Sequence, residues 1–165
     1  MLFWLLLHVA GAIFAFGPTL VFPIVGGLAA RDPKYGHFAA EVNHTIETRL
    51  VLPVAISMAV SGTGLIVAGH FNLTRQPWLG AGIVLYIIAL GIVTGFVNPA
   101  SKKLIEATAG GPPAGGPEAG TPSGPPPHVA ALIKRTQVGG MILLTLLVVI
   151  IFLMVVKPGG LGATL

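Results

Sequence analysis

Four long stretches of the chain carry almost no charged side chain, and charge is confined to the short intervals around them. Hydrocarbon offers a peptide group no hydrogen-bond partner, so a run of about 20 apolar residues closes its own backbone bonds as a helix and crosses the bilayer. The pattern predicts four transmembrane helices, over about residues 2–30, 49–70, 78–99 and 138–156, in an all-α, up-down bundle that forms one polytopic membrane domain over 1–165.

The intervals refine that outline. Pro18 and Pro23 remove backbone donors inside the first helix, which predicts a bend near Pro18. Arg31, Asp32, Pro33 and Lys34 end it, and residues 31–48 have the mixed polarity of an interfacial segment. The short loop at 71–77 makes the second and third helices antiparallel neighbours, with Trp78 at the headgroup level. Residues 109–127 are almost entirely Gly, Pro, Ala, Ser and Thr; such a composition buries too little apolar surface to offset its conformational entropy and predicts a disordered linker. The fourth helix stops at Lys157, Pro158 and Gly159.

Composition agrees with a lipid-facing surface. Apolar residues make up 54% of the chain and charged residues 8%, where a soluble domain carries about 25% charge. Mean hydropathy is +0.90. The first run is about double the length of a signal-peptide core and is expected to be retained, although the small residues Gly27, Ala29 and Ala30 would suit cleavage. No cysteine is present, which removes disulfides, iron–sulfur clusters and thiolate catalysis.

The net charge of +4 is spread over helix ends with no basic patch, so no nucleic-acid partner is expected. Arg31, Lys34, Arg49, Lys102, Lys103, Lys134 and Arg135 fall on one side of the bundle, against Arg75 and Lys157 on the other. By the positive-inside rule both termini lie outside and residues 101–136 are cytoplasmic, in a multi-pass protein of a bacterial inner membrane.

Chemistry-bearing side chains are few. His8 shares a helical face with Gly11, Ala12, Ala15, Thr19 and Gly26, a small-residue seam that should face the bundle. Two readings stand for it: a haem, copper or proton-carrying imidazole, or an interhelical hydrogen bond. His70 closes the second helix as an interfacial, solvated histidine. On the cytoplasmic side His37, Glu41 and His44 fall at i, i+4 and i+7, a nitrogen and oxygen set suited to Zn²⁺, Mn²⁺ or Fe²⁺ or, alternatively, a solvated polar face.

Ser57 with Ser61, Gly64 with Ala68, and Gly91 with Gly95 are small pairs at four-residue spacing that mark packing faces; Thr63, Thr94, Gln137 and Thr145 are candidates for interhelical hydrogen bonds. No phosphate-cradling loop, H-E-x-x-H or intramembrane acid pair is present, and no catalytic constellation assigns a reaction.

His8, the Glu47-Thr48-Arg49-Leu50 step with Pro53, the Thr63-Gly64 pair, Trp78 and the closing Lys157-Pro158-Gly159 give the chain a family likeness. It resembles a bacterial family of predicted integral membrane proteins, domain of unknown function 2269. It is also distantly similar to HemJ-type protoporphyrinogen oxidases and CopD-type copper-resistance membrane domains. The HemJ resemblance implies that His8 binds haem b or a porphyrin. It also makes Glu47, Arg49 and Leu50 the opening of the second helix, while the later histidine of those enzymes has no counterpart beside Tyr86, Thr94 and Asn98. With four methionines and no cysteine, soft ligands for copper are scarce, which ranks copper below haem.

The sequence therefore predicts an integral membrane protein whose biochemical function it leaves unresolved, and the resemblance implies haem or porphyrin binding through His8 as the first reading. The alternative is a cofactor-free accessory subunit, docked through its glycine seams as a homo-oligomer or in a larger membrane complex.

Overall fold

In the computed structural model, which describes residues 1–110 and 125–158, every regular element is helical. The order is α1 (Leu2–Ala29), α2 (Gly36–Ile46), a π turn (Glu47–Val51), α3 (Leu52–Ala68), α4 (Pro77–Ile92), a second π turn (Val93–Val97), α5 (Asn98–Thr108) and α6 (Pro127–Val156). The π turns interrupt the hydrogen-bond pattern without breaking the rods, so α2 and α3 form one helix over Gly36–Ala68 and α4 and α5 one over Pro77–Thr108. Four helices of 28, 33, 32 and 30 residues are thus long and apolar enough to cross a membrane. At a rise of 1.5 Å per residue they measure about 42–50 Å, more than the roughly 30 Å of hydrocarbon.

The segment at 31–48 is largely a helical extension of the second rod. Its only separate piece is a short 3₁₀ turn, Pro33–Tyr35. Beside that turn the Lys34 ammonium lies 2.9 Å from the Asp32 carboxylate and holds its pKa below the ordinary value; both groups are exposed, so water screens the pair. α1 continues through Pro18 and Pro23. Of the linker, residues 111–124 lie outside the described residues.

The helices pack as two pairs. α1 lies along α3 and α4 along α6, while α2 and α5 join the pairs at the end that carries most of the basic residues. Although a short loop connects α3 to α4, no Cα of one comes within 8 Å of the other. Their link is the Tyr86 hydroxyl, which donates to the Ala55 carbonyl. At the opposite end Trp78 is buried, edge-on to Phe71 at 6.4 Å and beneath the Lys157 ammonium at 5.6 Å, which ties the α3–α4 loop to the end of α6.

Buried side chains are few and small. No more than 11% of the most apolar window of any span is buried, so the large aliphatic residues form the outer surface. That inversion is what lipid as solvent requires: contacts between helices rest on close packing, and leucine gains nothing by leaving the hydrocarbon.

Candidate functional site

Two polar levels occur along the bundle, called outer and inner after the orientation that the charge bias predicts. The first lies in the seam between α1 and α3, where Gly11 and Ala15 are buried against the facing helix. A methyl group at Gly11 would sit 2.8 Å from Met58 Cγ, and Gly64 lies directly under the Trp4 ring, so both glycines set the interhelical distance. The seam lapses farther along: a methyl at Gly26 would meet nothing within 4 Å.

His8 sits in this seam, half-buried, with its ring 3.3 Å from the place a methyl of residue 62 would take. Its Nδ1 lies 3.2 Å from Ser61 Oγ. The Ser61 hydroxyl lies 3.2 Å from the Met58 carbonyl as well, so it bridges the His8 ring to the backbone of α3 and anchors the ring through Nδ1. Nε2 takes no hydrogen bond and is not among the buried unpartnered atoms, so it opens onto the protein surface.

The inner level lies where α2 packs on α5. His37 Nδ1 is 3.0 Å from Thr108 Oγ1, and its Nε2 is 3.4 Å from Glu41 Oε1. His44 stands apart, within electrostatic reach of Lys102. The structure thus pairs His37 with Glu41 and ties His37 to α5. Among the described residues no group of three or more His, Asp or Glu side chains is arranged to hold a metal ion. His70 is exposed at the other end of the bundle, in the left-handed region with φ 52°.

Sequence reasoning passed over the residues that stand out most at this level. Glu47 is buried, 7% exposed, and its Oε1 has no hydrogen-bond partner. Asn43 Oδ1, His44 Nδ1 and Asn98 Oδ1 are likewise buried and unpartnered. Asn43, His44 and Glu47 share one side of the helix, and Glu47 and Asn98 each adjoin a π turn. π turns are rare and gather at functional sites. The available signal was the i, i+4 spacing of Asn43 and Glu47 at the edge of a hydrophobic run; the π turns have no comparable signature.

The expected cross-helix threonine bonds do not form. Thr63, Thr94 and Thr145 donate to the carbonyls of Ala59, Leu90 and Met141, each four residues back on its own helix. All three are exposed, so the local carbonyl is the acceptor within reach.

Comparison with curated proteins and with solved structures gives no match. The profile of one protein family, described as a predicted integral membrane protein (DUF2269), matches residues 2–158, nearly the whole chain and all four long helices. The chain is therefore a multi-pass integral membrane protein and belongs to the DUF2269 family.

Proposed function

We propose that the protein is a membrane-embedded binding bundle in which His8 presents Nε2 to a planar haem- or porphyrin-type group in the outer half of the bilayer. The observation that carries this reading is the anchoring of the His8 ring through Nδ1, 3.2 Å from Ser61 Oγ. Metal-ligating histidines donate their other ring N–H to a fixed acceptor, which orients the ring and raises its basicity. An intramembrane imidazole with one nitrogen held and the other open has that form.

The residues present would hold such a group by one imidazole nitrogen, that of His8, beside an apolar wall. Trp4, Val60, Thr63, Gly64, Val67 and Ala68 line an open groove of about 490 Å³, and Trp4 is one turn from His8. A bound haem would supply redox chemistry at its iron. The likeness to HemJ-type oxidases supports the same assignment for His8. Tyr86, on the helix where those enzymes carry a later histidine, is committed to the Ala55 carbonyl, so a single protein ligand is expected. The Lys and Arg bias supports an orientation with the groove toward the outer face of a bacterial inner membrane, both termini outside and residues 101–136 in the cytoplasm.

A spectrum of the purified protein tests the assignment. A Soret band is expected that is lost in His8→Ala while the helical circular dichroism persists, and weakened in Ser61→Ala. A colourless protein that leaves added haem and porphyrin unbound contradicts it. The competing reading is an accessory subunit without a cofactor, favoured by the fact that the Ser61 bond already gives His8 an interhelical partner. Under that reading His8→Ala destabilises the α1–α3 pair, changes no spectrum, and a membrane partner co-purifies.

A further inference from the structure

The inner polar level has a register set by the hydrogen bond of His37 with Thr108 between the antiparallel α2 and α5. Ten residues beyond His37 on one helix and ten before Thr108 on the other bring Glu47 level with Asn98. By the same stepping the π turns Glu47–Val51 and Val93–Val97 stand opposite each other. Here the helices part: α2 packs on α5, yet no Cα of the first π turn comes within 8 Å of α5 or of the second π turn. The wedge is flanked by α1 against the first π turn and by α6 against the second. On the α6 side Gly139 fits against Val97, and the Arg135 guanidinium lies 4.3 Å over the Phe96 ring.

The side chains at this opening have unmet demand of one kind. Glu47 Oε1, Asn43 Oδ1 and Asn98 Oδ1 are acceptors, all buried and all without a donor. Among the described residues the ion pairs are Lys34 with Asp32 and His37 with Glu41, so Glu47 has no salt-bridge partner among them. A buried, unpaired carboxylate is costly, and unmet acceptors at its level call for a positive charge.

We infer that Glu47, with the amide oxygens of Asn43 and Asn98, forms a site for a small monovalent alkali cation at the level of the paired π turns. Hard oxygen donors suit such an ion, and irregular helix turns lend backbone carbonyls to ion sites in membrane proteins. A single carboxylate among neutral oxygens balances one positive charge, and the Lys102 ammonium near His44 disfavours a second. The site lies on the inner side of the bundle, independent of His8 and of any porphyrin.

The probe is Na⁺, added as chloride to the full chain in detergent, with choline chloride at equal ionic strength as control. Thermal stability of the wild type is expected to rise saturably with Na⁺ and not with choline. Glu47→Gln, which keeps the shape and removes the charge, is expected to lose the response. Asn98→Ala is expected to raise the half-saturating concentration several-fold, and it provides the comparison if Glu47→Gln fails to fold. An equal response to Na⁺ and choline, or a Na⁺ response retained in Glu47→Gln, overturns the site. So does stability that follows pH alone and is indifferent to Na⁺ at every pH, because the occupant is then a proton.

Discussion

Single side chains carry the polar chemistry of this protein, and each is defined by what the lipid surroundings deny it. His8 has no water to turn to, so Ser61, itself bonded to the Met58 carbonyl, supplies its hydrogen-bond partner at Nδ1. Glu47 and Asn98 lack even that, and their unmet oxygens mark the second level. His70 illustrates a residue set by backbone geometry. It occupies the left-handed position after α3, where Phe71 N–H closes on the Ile66 carbonyl at 3.1 Å and His70 N–H on Val67 at 3.3 Å. A β-carbon is strained there, so His70→Gly is expected to stabilise the protein by about 0.5–1 kcal/mol. A rise in the midpoint of thermal unfolding in detergent checks it, and a fall would assign His70 a role its exposed side chain does not display.

At the scale of helices, which small residues matter was only partly legible in the sequence. The stripe at Gly11 and Ala15 and the Ser61 and Gly64 positions were readable as seams, because small residues at steps of three and four align on one face. The same logic chose Gly91 and Gly95, yet a methyl at either would meet nothing within 4 Å. Periodicity identifies a face but not its occupant, and for these two the face is unoccupied among the described residues. The glycine that seats α6 is Gly139, where a methyl would lie 2.6 Å from Val97 Cγ2. Gly139→Leu is therefore expected to cost about 1–3 kcal/mol through overpacking, and Gly91→Leu to stay within about 0.5 kcal/mol. Unfolding of the two variants in detergent compares them directly; equal losses would mean that a second copy or partner covers Gly91.

For the whole molecule, the four spans followed from the physics of an unpaired peptide group in hydrocarbon, and the runs of apolar residues made them readable. Their pairing did not follow. A short loop at 71–77 implied that α3 and α4 lie side by side, whereas the glycines of α1 and α6 draw those helices in and leave α3 and α4 joined by Tyr86. The inner site stayed hidden for a related reason: Glu47 read as the polar edge of an apolar run, and only the packing of α1 and α2 around it shows a buried acid.

The orientation of the bundle joins both polar levels to a side of the membrane, and the chain is suited to testing it because it contains no cysteine. Thr74→Cys lies in the loop between α3 and α4, and Ala109→Cys follows α5. In intact cells an impermeant thiol reagent is expected to label Thr74→Cys at once and Ala109→Cys only after permeabilisation. Labelling of both from one side would contradict a crossing by the α4–α5 rod, and the reverse pattern would place His8 and the neighbouring Trp4 groove toward the cytoplasm.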